Sequence, residues 1–189
     1  QQAAQEIRAA LGGDEAPYIV CDMSNADDIK RAIKETAKRF GGLDILVNNA
    51  GGPPTGAFED LDERYWQFAI DQNLLSAVRC VREALPHLRK SGRGRIINVT
   101  SVAVKQPIDG LILSNATRLA VVGLAKTLSR ELAPHSITVN NVCPGNIATQ
   151  RLISLIEERA RRQGVTLEEA VSLEEGRVPM GFLGEPEDV

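Results

Sequence analysis

Leu43–Gly51, "LDILVNNAG", is the stretch that decides the fold. Its near-continuous apolar run is that of a strand buried on both faces of a parallel sheet, and Asn-Asn-Ala-Gly ends it with turn-forming residues. On its N-terminal side, Ile29, Ile33, Ala37 and Phe40 recur at helical spacing and stop at Gly41-Gly42. Ser24 is placed to cap that helix, with Asp27 in its first turn. Ala16–Met23, "APYIVCDM", reads as a further strand, preceded by a helix ending at Ile7–Leu11 and Gly12-Gly13.

On the other side the same alternation continues. A helical region from about Asp60 to Lys90 is expected to break near Gln72-Asn73 or at Pro86. "RIINVTS", Arg95–Ser101, is a strand, Leu113–Leu132 an amphipathic helix, and "ITVNNVCPG", Ile137–Gly145, another strand. A charged helical segment from Gln150 to Glu175 breaks at Gly164. Strands alternating with helices require crossover connections. They imply a doubly wound parallel α/β sheet in three α/β/α layers. No repeat or linker divides residues 1–189, so a single domain is expected. The chain opens within a helical pattern and closes as another begins, which suggests part of a longer protein.

The net charge of −3 gives no reason to invoke nucleic acid or an anionic membrane. No apolar run approaches the roughly 18 residues of a membrane span, and no signal peptide is evident. Cys21, Cys80 and Cys143 have neither metal-ligand nor disulfide spacing, so they read as small hydrophobes in a reducing cytoplasm.

In doubly wound sheets the ligand crevice lies beyond the carboxyl ends of the strands. Asp22, "NNAG", "VTS" and "CPGNIAT" all fall there. Any one of them is equally well plain turn chemistry, but four at corresponding places point to one shared site.

With these residues in this order, nearly the whole chain resembles the short-chain dehydrogenase/reductase family. The resemblance implies a Rossmann-type fold, NAD or NADP as cofactor, and hydride transfer to or from a carbonyl or alcohol, of 3-oxoacyl-reductase-like type. It implies that Asp22 and Met23 hold the adenine, and that Asn49, Ala50 and Gly51 border the adenosine ribose. Val99 lies at the end of the strand leading to the catalytic Ser101, and Asn73 falls where the family keeps an active-site Asn. Pro144, Gly145, Ile147 and Thr149 hold the nicotinamide carboxamide. Residues 150–180 correspond to the substrate lid, and a homodimer or homotetramer is the family's assembly. Two departures stand out. The family's glycine-rich phosphate turn and its last strand are not found in the sequence. The family's Tyr and Lys positions, 13 residues beyond Ser101 and four further on, hold Ser114 and Arg118, as in a divergent branch with an SNxxR-type sequence.

A phenol donates a proton because its pKa, about 10, can be lowered by a neighbouring cation; an aliphatic hydroxyl is a far weaker acid. Arg118 keeps a permanent positive charge and can donate hydrogen bonds to the cofactor ribose. Ser114 is suited either to catalysis or to capping its helix. Asp109, or a water relayed through Asn73, could replace the phenol. His87 and His135 read as surface loop residues, and Tyr65, Trp66 and Phe68 as packing. The charges of the lid, among them Arg159, Arg161, Arg162, Glu168 and Glu169, read as a solvated helix face. Three readings follow: an oxidoreductase with an atypical proton donor, a cofactor-binding sensor or scaffold without turnover, and an inactive truncated chain.

Overall fold

The computed structural model describes residues 17–189. The helix expected to end at Ile7–Leu11 and Gly12-Gly13 lies outside the described residues. Helix α1 (Ala26–Phe40) is followed by strand β1 (Ile45–Asn48), helix α2 (Glu63–Ala69), a π-helical turn (Ile70–Leu75), helix α3 (Ser76–Ser91) and strand β2 (Arg95–Val99). Helix α4 (Ile112–Glu131), strand β3 (Thr138–Val142) and helices α5 (Gln150–Gln163) and α6 (Leu167–Glu175) complete the order.

The three strands form a parallel sheet in the order β1-β2-β3, with Ile45 opposite Arg95 and Arg95 opposite Thr138. Ile33, Val81, Ala84, Leu88, Ile96, Ala125, Ile137 and Val139 pack together, so α1, α3 and α4 cover the same face of the sheet. Each fully buried Leu or Ile here contributes about 1.5–3 kcal/mol. The opposite face is open among the described residues: Ile45 and Val47 are 58% and 54% exposed. Burial of β1 on both faces, expected from its apolar run, is therefore not observed, and a second helical layer is not found among the described residues.

Pro17–Asp22 forms no strand, because a strand needs a hydrogen-bonded neighbour and this segment pairs with none of the described strands. Asn25, not Ser24, caps α1: its side chain accepts from the amides of Asp27 and Asp28, while Ser24 turns back to Asp22. Gly41 ends α1 at φ 78°, a left-handed conformation that favours glycine. Phe40 is exposed, with the Arg39 guanidinium over its ring.

The break expected near Gln72-Asn73 is the π-helical turn, and Pro86 sits inside α3 without ending it. His87 is therefore a half-buried helical residue rather than a loop residue. On α4, Leu113, Thr117, Val121 and Ala125 face inward, whereas Leu119 is 54% exposed. Trp66 packs against Leu61, Ala69 and Leu113 and stands edge-on to Phe58, but Tyr65 and Phe68 are exposed.

Candidate active site

The carboxyl ends of the strands carry a row of amides. Asn48 Nδ2 donates to Asn98 Oδ1 at 2.8 Å, and Asn98 Nδ2 donates to Asn141 Oδ1 at 3.1 Å. Strand register sets these three residues side by side. Thr100, just beyond β2, donates its amide and its hydroxyl to the Val142 carbonyl. A cavity of about 20 Å³ opens beside this row, bordered by Ala50, Asn73, Asn98, Val99, Thr100 and Arg118.

Arg118 reaches this point from α4. Its Nη1 donates to the carbonyls of Val99 (3.0 Å) and Thr100 (3.1 Å), and its Nε donates to Ser114 Oγ (3.1 Å). Nη2 has no acceptor among the described residues. Burial, and then the charge of Arg151, hold the guanidinium below its usual pKa range. Ser114 is buried in the first turn of α4, which begins at Ile112. It does not cap the helix; its Oγ acts as the acceptor that fixes the Arg118 side chain.

The π-helical turn brings Asn73 inward. Its Nδ2 donates to Thr117 Oγ1 at 2.9 Å, and its buried Oδ1 has no partner among the described residues. Ser101 caps the short turn Val102–Val104, where its Oγ accepts from the Ala103 amide. Its own O–H has no acceptor among the described residues.

Beyond the strand ends lies a cleft of about 890 Å³ between the Gln106–Leu111 loop, Gly145-Asn146, and helices α5 and α6. Arg159 and Arg162 line it; Arg159 is half-buried and so does not belong to a solvated helix face, whereas Arg162 remains exposed. Arg159 Nη1 and Arg177 Nη1 both meet the buried carboxylate of Glu174, which also accepts from Asn146 Nδ2. Arg159 Nη2 donates to the Asp109 carbonyl at 3.3 Å. Arg161, Glu168 and Glu169 remain exposed.

Of the other sequence candidates, Gly145 borders the cleft, and the Pro144 carbonyl accepts from the Val102 amide. Ile147 bridges to Gly184, and Thr149 caps α5 by accepting from the Leu152 amide. Asn49 and Gly51 are exposed beyond β1. Asp22 is engaged with Ser24, and Met23 Sδ lies 3.8 Å from Cys21 Sγ; neither is joined to the strand ends by a hydrogen bond. The asparagine row was open to a sequence reading, since "VNN", "NVT" and "VNN" end the three strands. Thr117 and Glu174 gave no such signal, because only the packing of helices shows what they meet.

A family model for short chain dehydrogenases matches residues 1–160. The chain belongs to the short-chain dehydrogenase family. The 3-oxoacyl-[acyl-carrier-protein] reductase FabG of Staphylococcus aureus is 34% identical over 185 residues, covering 98% of this chain and 70% of that protein. A crystal structure of an actinorhodin polyketide ketoreductase variant with NADPH superposes with a TM-score of 0.90 at 31% identity, over 100% of this chain and 74% of the other. The L-sorbose reductase of Gluconobacter frateurii, complexed with NADPH and L-sorbose, gives a TM-score of 0.89 at 27% identity, over 99% and 71% of the two chains. The fold is the family's Rossmann-type α/β fold, and the protein is an NAD(P)-dependent oxidoreductase. Among the described residues no helix is long and apolar enough to cross a membrane.

Proposed function

We propose that the protein interconverts a 3-oxoacyl-type carbonyl and its alcohol, with the reacting oxygen held by Ser101 and the proton supplied by a group other than a phenol. The observation that carries this reading is that Asn73 and Arg118 share the small cavity at the end of β2, where Arg118 holds the carbonyl of Thr100 just before Ser101, while Val102 just after Ser101 lines the cleft of about 890 Å³. The names of the ketoreductase and reductase relatives support the substrate class.

The residues present fit a nicotinamide dinucleotide. Among the described residues, a Cβ at Gly145 would meet nothing within 4 Å, and one at Gly51 only the Gln72 Nε2 at 3.9 Å, so both backbones are open to close approach. Arg118 Nη2 keeps two donors for a ribose hydroxyl, and Asp22, Met23, Asn49, Ala50, Val99, Pro144, Ile147 and Thr149 would complete the cofactor contacts. When bound, the nicotinamide supplies or accepts the hydride.

Ser101, whose oxygen already accepts from Ala103, donates a hydrogen bond to the substrate oxygen and orients it. Arg118 fixes the floor of the site through two carbonyls and adds positive charge near developing negative charge. Asn73 Oδ1 borders a cavity with room for one water, which suits it to anchoring a proton relay. Helices α5 and α6 within residues 150–180 act as the substrate lid, in a single domain spanning residues 1–189. A cytoplasmic setting and a homodimer or homotetramer belong to the same proposal; the exposed Tyr65, Phe68 and Leu119 on neighbouring helices support an apolar interface.

A second reading, cofactor binding without turnover, is favoured by one observation: Ser114 faces Arg118 and is not among the residues lining the cleft. Incubating the protein with NADPH or NADH and a panel of 3-oxoacyl thioesters separates the two. Loss of reduced-nicotinamide absorbance supports the oxidoreductase, and binding without consumption supports the second reading. Ser114→Tyr refines the test. General acid–base help is typically worth about 10²–10⁴-fold, so a gain in turnover would mean that the missing phenol limits the rate. No gain in a folded variant assigns the proton to a donor elsewhere in the site.

A further inference from the structure

The π-helical turn that carries Asn73 is strapped to its surroundings by an arginine. In an uninterrupted α-helix the amide of Ser76 would donate to the carbonyl of Gln72. Here it donates to the carbonyl of Asp71, one residue further back, and the buried Ser76 hydroxyl donates to the Gln72 carbonyl at 2.6 Å instead. Asp71 therefore closes the turn with its backbone. Its side chain is fixed as well. Oδ2 accepts from Gln67 Nε2 at 2.7 Å, and Oδ1 accepts from Arg79 Nη2 at 3.0 Å.

Arg79 reaches further than Asp71. Its Nη1 donates at 2.7 Å to the carbonyl of Ser24, in the loop that leads into α1. The planar fork thus joins α3, where Arg79 sits, to the π-turn and to that loop. Exposed ion pairs contribute little, but here both side chains are only 24% exposed. The pairs at the starts of α1 and α2, Arg31 with Asp28 and Arg64 with Asp62, are local and more exposed. A π-turn is a rare element that often marks functional positions. Asn73 lies inside this one, buried, with Nδ2 on Thr117 Oγ1 and Oδ1 without a partner among the described residues. A return of the Ser76 amide to Gln72 would straighten the helix and turn Asn73 relative to Thr117.

We infer that Arg79 is a positioning residue for Asn73: through Asp71 it keeps the π-turn closed and ties it to the segment assigned above to the adenine. The effect on turnover rests on the proton-relay reading of Asn73 given above, whereas the effect on the Asn73 side chain does not. The test follows isotope-labelled asparagine side-chain amides of the full chain by NMR, with the Asn73 signal assigned by its loss in Asn73→Ala. Wild type, Arg79→Met, Arg79→Lys and Asp71→Ala are compared, with circular dichroism to verify folding. Arg79→Met and Asp71→Ala are expected to shift the Asn73 signal and to speed its exchange with deuterium roughly tenfold or more. The buried Asn98 amide, bonded to Asn141 across the sheet, should stay as it is. Arg79→Lys should restore part of the Asn73 signal, since it keeps the charge but not the fork. Kinetics with NADPH and acetoacetyl-CoA form the second arm. Arg79→Met should lower kcat roughly tenfold with little change in KM, and should add almost nothing to the loss in Asn73→Ala. An unchanged Asn73 signal in folded Arg79→Met overturns the inference. Equal loosening of Asn73 and Asn98 also overturns it, because Arg79 would then serve stability in general. Additive losses of kcat in the double variant do the same. A moved Asn73 signal with an unchanged kcat supports the role of Arg79 and defeats the proton-relay reading instead.

Discussion

Arg118→Met is the most informative single substitution. Methionine keeps an unbranched stem of similar reach, so the packing against β2 is largely retained. The guanidinium and its three hydrogen bonds, at 3.0–3.1 Å, are lost. Each carbonyl left without a donor costs about 1–3 kcal/mol if it stays dry. Relief from burying an unpaired charge works in the opposite direction. The small cavity beside Val99 and Thr100 also gives water access to these oxygens. The net loss of folding stability should be about 1–2 kcal/mol, measured by urea unfolding. Cofactor affinity should fall further. If Nη2 donates charge-assisted bonds to a ribose hydroxyl, losing them costs about 1.5–3 kcal/mol, or roughly 10–150-fold in Kd. Calorimetric titration with NADPH and NADH reads this directly. A folded variant with wild-type Kd would refute the assignment of Arg118 to the cofactor. A variant more stable than wild type would show that desolvation of the charge outweighs the bonds to Val99 and Thr100.

Thr117→Val removes the acceptor of the buried Asn73 Nδ2 and should destabilise the protein by about 1–3 kcal/mol in chemical unfolding. Thiol titration with an aromatic disulfide should modify the exposed Cys143 first. Cys80, whose pKa burial pushes up to about 11, should react only after denaturant is added. Hydrogen bonds from Ser24, from the Asp22 amide, from Ser91 and from Arg64 hold Asp22, Asp28, Asp44 and Asp62, respectively, below the usual carboxylate range. The stability these groups add is present above their unfolded-state pKa of about 3.9 and is lost as pH falls through the lower folded values, so the thermal midpoint should decline below about pH 4. A flat midpoint through that range would contradict these contacts.

The sequence by itself determined the alternation of elements, the parallel sheet and the place of "NNAG", "VTS" and "CPGNIAT" at the ends of its strands, but not that of Asp22, whose segment pairs with none of the described strands. Those features follow from local periodicity, from glycine stops such as Gly41 and from residues fixed by spacing, such as Ser101 and Arg118. It also located the irregularity at Gln72-Asn73, although only the structure identified it as a π-helical turn that turns Asn73 inward. Tertiary structure decided what spacing cannot express. Ser114 read as either a cap or a catalyst and proved to be the acceptor for Arg118 Nε, because α4 starts two residues earlier. Pro17–Asp22 has a strand-like composition, but strand formation depends on a hydrogen-bonding neighbour and not on composition alone. Arg151 and Arg159 look alike in a charged helix; one crosses to Pro53 and the other meets Glu174, since each points where its turn of α5 directs it. Which oxygen or carboxylate a guanidinium finds is a property of the three-dimensional arrangement, and in this protein that arrangement separates the paired arginines of the cleft from Arg118 and Arg151, which donate to neutral oxygens.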